Sequence, residues 1–268
     1  MYIAIIVIVL IFVLYFLAVR GRVGNKDLSK IMGFDYAHRG LHGNGASENS
    51  LTAFRRAKEN GFGVELDVHL LKDGNLAVIH DSDLTRITGQ KGKVEDLEIR
   101  DLKNYYLENT GNTIPSFKEV LDLFDGAAPI IVELKAVNGN HKQLCEKANE
   151  MLENYNGVYC VESFDPRCVY WFKKHKPEIL RGQLSENSLK SHKKVNIIIR
   201  FLLTNNLLNF LTKPDFVAYR FEDRKNLSNK ICQKFWKMQM VTWTVRTKED
   251  HNNIKAKNWI SIFEYFIP

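Results

Sequence analysis

The stretch Val64–Asp81, VELDVHLLKDGNLAVIHD, decides the fold. It holds two β-strand patterns, Val64 to Leu70 and Leu76 to His80, parted by little more than Lys72-Asp73-Gly74-Asn75. Asp-Gly is a hairpin signal, and a parallel crossover needs about a dozen residues, so the two runs are expected to be antiparallel neighbours. Further strand patterns fall at residues 35–38, 130–134, 158–164, 180–184, 216–219, 241–245 and 260–266. Helical patterns fall between them, at residues 51–60, 116–124, 142–155 and 166–175, the first entered through Ser50 and stopped by Gly61. Counting the hairpin as one position leaves eight strands, which predicts an α/β fold of the (β/α)8 TIM-barrel type with its site at the C-terminal strand ends. An open doubly wound sheet fits less well, because no Gly-x-Gly-x-x-Gly turn follows the first strand.

The same stretch carries the candidate chemistry. Side chains alternate along a strand, so Glu65 and Asp67 share one face and Val64, Leu66 and Val68 the other. With the apolar face packed on helices, the two carboxylates point into the barrel, where an unpaired anion costs several kcal/mol. Something cationic must sit beside them, either a metal ion or Arg and Lys partners. Glu133, in Ile131-Val132-Glu133-Leu134-Lys135, is a third carboxylate at a strand end. Three acids without cysteine suit a hard cation such as Mg²⁺ or Ca²⁺, while a structural salt bridge is the bland alternative. Centring the turn on Asp73-Gly74 sets His80 opposite Asp67, and His69 is expected as a rim histidine. The first strand ends in Ala37-His38-Arg39-Gly40, a proton carrier and a fixed cation at the rim. Two histidines, three carboxylates, Arg39 and Lys135 suit a phosphodiester. No Gly-x-Ser-x-Gly elbow is present, which speaks against a serine nucleophile.

Composition narrows the partners. The chain has 268 residues and a formal net charge of +7, yet no run of five basic residues, so the excess reads as a solvated surface rather than a nucleic-acid site. Cys145, Cys160, Cys168 and Cys232 show no metal or redox spacing and are expected to be reduced. From Ile3 to Val19 the chain runs IAIIVIVLIFVLYFLAV without a charge. At ~1.5 Å per residue such a helix is about 26 Å long, just enough for a thin bilayer core. Too little basic sequence precedes it for a signal peptide, and it is apolar all round, unlike a core helix. The expectation is a single-pass transmembrane anchor at 1–20, a juxtamembrane linker at 21–33 and a catalytic domain at 34–268. Arg20, Arg22, Lys26 and Lys30 place that domain in the cytoplasm by the positive-inside bias. Val195 to Leu211 reads as a hydrophobic crossover helix or a segment resting on lipid. Residues 185–194 read as a solvated loop on the site's side.

His38-Arg39-Gly40, Glu48-Asn49-Ser50, Glu65-Leu66-Asp67-Val68, Lys72-Asp73-Gly74, His80-Asp81 and Glu133-Leu134-Lys135 together resemble the glycerophosphodiester phosphodiesterases. Ser163-Phe164-Asp165 and Val241-Thr242-Trp243-Thr244-Val245 are weaker echoes. The resemblance implies a TIM barrel that hydrolyses glycerophosphodiesters to glycerol 3-phosphate and an alcohol. It implies a divalent cation on Glu65, Asp67 and Glu133, His38 and His80 as acid and base, phosphate held by Arg39 and Lys135, and glycerol against Trp243. The end of the chain departs from the family pattern, which leaves Glu264 without an expected role. A lysophospholipase D acting on lysophospholipids and a catalytically silent membrane scaffold are the rival readings; no ligand or acid–base residue is missing, as a silent barrel would require.

Overall fold

The computed structural model describes residues 2–22, 27–108, 110–191 and 195–268. Nine strands form one sheet: β1 (Tyr36–His38), β2 (Gly63–Leu70), β3 (Leu76–Val78), β4 (Ile130–Leu134), β5 (Tyr159–Ser163), β6 (Arg181–Ser185), β7 (Phe216–Arg220), β8 (Gln239–Val245) and β9 (Ile260–Phe263). Among the described residues ten α-helices accompany them: α1 (Tyr2–Ala18), α2 (Leu51–Glu59), α3 (Thr85–Thr88), α4 (Phe117–Phe124), α5 (His141–Glu153), α6 (Pro166–His175), α7 (Ile197–Thr204), α8 (Asn209–Thr212), α9 (Leu227–Lys234) and α10 (Lys248–Lys255). The strand order is β1-β9-β8-β7-β6-β5-β4-β2, closed by pairing of β1 with β2, and all eight are parallel. This is the expected (β/α)8 barrel. Because β1 is only three residues long, β2 outruns it, and β3 pairs antiparallel with the free upper edge.

The hairpin register differs from the expected one by a residue. Val68 faces Val78, His69 faces Ala77 and Leu70 faces Leu76, so Asp67 lies opposite Ile79 rather than His80. The turn is wider than a two-residue Asp-Gly loop. The Leu71 amide donates to the Asn75 carbonyl, and Lys72-Asp73-Gly74 form a three-residue loop with Gly74 at φ +81°. His80 reaches the site from beyond the ladder, after β3 has ended.

The outer face of the barrel follows the predicted alternation. Val64, Leu66 and Val68 pack with Phe54, Phe117, Val120 and Phe124 in one continuous core. The interior is divided along its axis. Its lower half is apolar, with Ile31, Tyr36, Ile131, Cys160, Phe216 and Ile262 filling the barrel floor. Its upper half is acidic, with Glu65, Asp67, Glu133 and Glu162 all buried. Gly182 in β6 lets the Phe216 ring lie against its backbone; a Cβ there would fall 2.0 Å from a ring carbon. Gly182→Ala is therefore expected to lower stability by about 1–3 kcal/mol, read as a shift of the urea midpoint at unchanged m.

Residues 82–114, for which the pattern predicts no element, fold over β3 with a small core of their own built on Leu84, Ile87, Val94 and Leu102. The apolar run Val195–Leu211 breaks into α7 and α8 at Asn205-Asn206, where Asn206 takes φ +52°. The loop at 185–194 is less solvated than expected: Ser185, Glu186 and Ser188 are buried, while 192–194 lie outside the described residues. Part of the stretch read as a linker, 23–26, also lies outside them, and Ile31 behind it is buried in the barrel floor.

The run read as a spanning anchor forms α1. Among the described residues no helix is long and apolar enough to cross a membrane. The helix ends at Ala18, and the residue after it is seated on the barrel: Val19 is fully buried with Val217, Tyr219, Cys232 and Met240. Tyr2 to Leu14 stay exposed on every side.

Candidate active site

A cavity of about 310 Å³ opens at the C-terminal ends of the strands. His38, Arg39, Glu65, His80, Glu133, Lys135 and Trp243 line it, and Asp67 lies buried directly beneath. Every residue proposed from the sequence therefore comes to one place. Parallel register explains the acids: Asp67 on β2 pairs with Glu133 on β4, which pairs with Glu162 on β5. Ligand oxygens of Glu65, Asp67 and Glu133 lie within 4.8 Å of one another. Arg39 turns the chain out of β1 with φ +53°, followed by Gly40 at +80°, where a Cβ would fall 2.9 Å from Ala53. The tight turn points the Arg39 amide at Glu65 Oε2, 3.3 Å away.

The cluster is short of positive charge. Lys135 Nζ sits between Asp67 Oδ1 at 3.0 Å and Glu133 Oε1 at 2.8 Å, and Arg39 Nε is 3.3 Å from Asp67 Oδ2. Asn49 adds a hydrogen bond to Asp67 Oδ2. Burial acts to raise the Asp67 carboxyl, yet the charges of Lys135, His80 and Arg39 hold it well below its ordinary range. Glu65 and Glu162 are pushed well above theirs by burial and by the neighbouring carboxylates, and burial raises Glu133 as well. Both Glu162 oxygens are buried without a hydrogen-bond partner among the described residues. Four buried carboxylates face two cations, and oxygen ligands in this number fit a divalent hard ion held by Glu65, Asp67 and Glu133.

The two histidines are oriented from behind by carboxylates. His38 Nδ1 lies 2.7 Å from Glu264 Oε2, and Glu264 also accepts from Arg246 Nε at 2.7 Å. Burial acts against the Glu264 anion, but His38, His42 and Arg246 hold its carboxyl below the ordinary range, so it is an acceptor and His38 Nδ1 carries the proton. The His38 imidazole is pushed down to about 4, chiefly by burial. It is neutral at pH 7, with its Nε2 lone pair facing Glu65 at 3.8 Å. His80 Nδ1 is 2.6 Å from Asp81 Oδ1, and Asp81 is gripped in turn by Arg86, which also holds Glu48 beside Arg39.

A family model, the glycerophosphoryl diester phosphodiesterase family, matches residues 38–262. This chain belongs to that family. It is 37% identical over 155 residues to a glycerophosphodiester phosphodiesterase of Bacillus altitudinis, a match spanning 54% of this chain and 63% of that protein. A lysophospholipase D of Homo sapiens is 33% identical over 133 residues, 45% of this chain and 41% of that protein. The fold is shared with an Oleispira antarctica phosphodiesterase solved with the product sn-glycerol-3-phosphate, at TM-score 0.70 and 20% identity over 87% of this chain and 93% of that one.

Three residues of this glycerophosphoryl diester phosphodiesterase barrel were not expected in the site. Glu162, in Val161-Glu162-Ser163, stands at the same strand height as Glu133, so the alternation that singled out Glu133 also marks it. Glu186 follows β6 and lines the cavity. Glu264 lies 226 positions from its partner His38 and meets it only because β9 pairs with β1. His69, expected at the rim, is instead buried behind the site, bonded to Glu95 and to the His80 carbonyl.

Proposed function

We propose that this chain hydrolyses glycerophosphodiesters to glycerol 3-phosphate and an alcohol, with a divalent cation, Mg²⁺ or Ca²⁺, held by Glu65, Asp67 and Glu133. The observation that carries this reading is the under-neutralised carboxylate cluster beside two carboxylate-oriented histidines. When bound, the cation would supply Lewis-acid neutralisation of the phosphate. Arg39 and Lys135 hold the phosphoryl oxygens as fixed charges. His38, neutral at Nε2, takes the proton of the attacking hydroxyl, and His80 delivers one to the leaving alkoxide. The Trp243 indole, set edge-on to Phe164 at 5.6 Å, walls the side away from the acids. The test is turnover of glycerophosphocholine with and without chelator; full activity in excess chelator rejects the cation.

Glu264 then acts as a positioning residue. Glu264→Gln keeps the shape but no longer fixes the proton on His38 Nδ1, so kcat should fall roughly 10²-fold with little change in KM. A shifted pH–kcat profile separates this from a structural role, which would leave the profile in place.

We further propose that α1 holds the barrel at a membrane, on the cytoplasmic side. Its exposed apolar surface supports the first part. The basic residues Arg20, Arg22 and Lys30 and four unbridged cysteines support the second. The full chain should pellet with membranes and be cleaved by protease only after the cells are opened. Recovery in the medium would reject it.

A further inference from the structure

The residues that follow α1 help to line a second cavity, of about 460 Å³, at the end of the barrel opposite the candidate active site. Its barrel side holds Arg181, the first residue of β6, with Lys213 just ahead of β7 and Lys173 on α6. Arg20, Gly21 and Arg22 form the other side. Gly21 lets that stretch press on the barrel, because a side chain there would run into Met238 and the Pro214 carbonyl. The Arg22 amide donates to the same carbonyl at 2.9 Å. Five cations therefore surround one hollow at the N-terminal ends of β6 and β7.

That end of such a barrel serves stability rather than chemistry, and stability alone calls for buried cations matched by acids. None of the described residues lining the cavity is acidic. Asp215, beside it, is already engaged: its Oδ2 accepts from the Arg181 amide at 3.1 Å, and its Oδ1 lies 3.5 Å from Arg22 Nη1. Arg181 is 2% exposed, and its Nη1, 3.8 Å from Asp215 Oδ2, makes no hydrogen bond among the described residues. Lys213 Nζ donates to the Arg20 carbonyl and Arg22 Nη1 to the Pro177 carbonyl, partners that orient a cation without neutralising it. Burial and the charges of Arg20 and Lys173 push the Lys213 ammonium below its ordinary range. Burial likewise brings Arg181 down to about 10 against the pull of Asp215, and Arg22 adds to the push. The hollow is short of an anion.

We infer that this hollow binds a small phosphate-type anion, which ties Arg20 and Arg22 behind α1 to Lys173, Arg181 and Lys213 on the barrel. A tetrahedral oxyanion presents acceptors in several directions and so takes bonds from guanidinium forks and ammonium groups at once. The ion comes from solution rather than from a lipid headgroup. Helix α1 runs alongside α9, with Tyr15 by Ser228 in its first turn and Arg20 over Trp236 just past its end. Since α9 leads from the C-terminal end of β7 to the N-terminal end of β8, the exposed residues 2–14 leave by the opposite end of the barrel from the cationic hollow. Lipid gathered on them stands away from it.

The experiment titrates the full chain, in excess chelator, with inorganic phosphate by calorimetry. It also follows thermal unfolding in phosphate and in sodium chloride of matched ionic strength. Phosphate should bind and raise the unfolding temperature, and chloride should not. The comparison is a Lys173→Gln, Lys213→Asn double variant, with Asn chosen because Lys213 has φ +45°. It should bind phosphate at least about tenfold more weakly, yet unfold no earlier than the parent in phosphate-free buffer. Arg20→Gln alone, which leaves both lysines in place, should weaken phosphate several-fold and serves if the pair does not fold. A parent that ignores phosphate overturns the inference. So does equal affinity in parent and variants, which would move the ion to Arg39 and Lys135 in the active site. A parent that ignores phosphate but binds water-soluble dihexanoylphosphatidic acid through Lys173 and Lys213 would make the source a lipid headgroup and overturn the free-ion assignment.

Discussion

Glu65→Gln is expected to lower kcat by about 10³-fold, because several kcal/mol of charge stabilisation depend on the cation and each ~1.4 kcal/mol is a factor of ten. The amide preserves the shape of Glu65 while removing one of three anionic ligands. It also removes a buried anion crowded by Asp67, Glu133 and Glu162. The metal-free variant should therefore unfold at no lower temperature than the metal-free parent. The decisive contrast lies in thermal unfolding with and without millimolar Mg²⁺ or Ca²⁺: the parent should gain stability by mass action and the variant should not. An equal metal-dependent gain in both proteins would exclude Glu65 as a ligand, whatever its kinetics.

The second large effect belongs to the histidines. General acid–base help is worth about 10²–10⁴-fold, so His38→Ala and His80→Ala should each lose that much in kcat. The two need not respond alike to folding probes. His38 is enclosed, and its loss leaves Glu264 a buried acceptor beside Arg246 and the more distant His42. His80 lies nearer the rim, its side chain 31% exposed, so His80→Ala should leave the urea midpoint almost unchanged. Single-turnover rates measured at saturating glycerophosphocholine would separate chemistry from binding. Near-normal rates in both variants would reject the acid–base assignment.

Much of this molecule was legible because its barrel encodes position by parity. Val64, Leu66 and Val68 alternate with Glu65 and Asp67, which settles the inward face of β2 without knowledge of any other strand. The same local logic located Glu133 and Lys135. What escaped was set by geometry that no local window holds. The hairpin slipped by one residue because Gly74 at positive φ permits a three-residue loop where Asp-Gly suggested two. The described residues between 82 and 114 lack periodicity because their short turns share a small core with Leu71, Ala77 and Ile79 rather than lining one face of a regular element. The apolar run at 195–211 looked like one helix, but Asn206 enters the left-handed region and breaks it. The apolar run at 3–19 does form a helix, but that its end seats against α9 is a contact no local window holds.

Closure of the barrel by its first and last strands carries a consequence for biosynthesis. His38 leaves the ribosome among the first residues of the domain, but the carboxylate that aligns it is Glu264, directly after β9. Until β9 emerges and inserts beside β1, the nascent chain already carries both histidines and the whole acidic cluster, but its base stays unaligned. A partly made copy would hold the acids without the carboxylate that orients His38. Catalytic competence arrives as the final event of assembly.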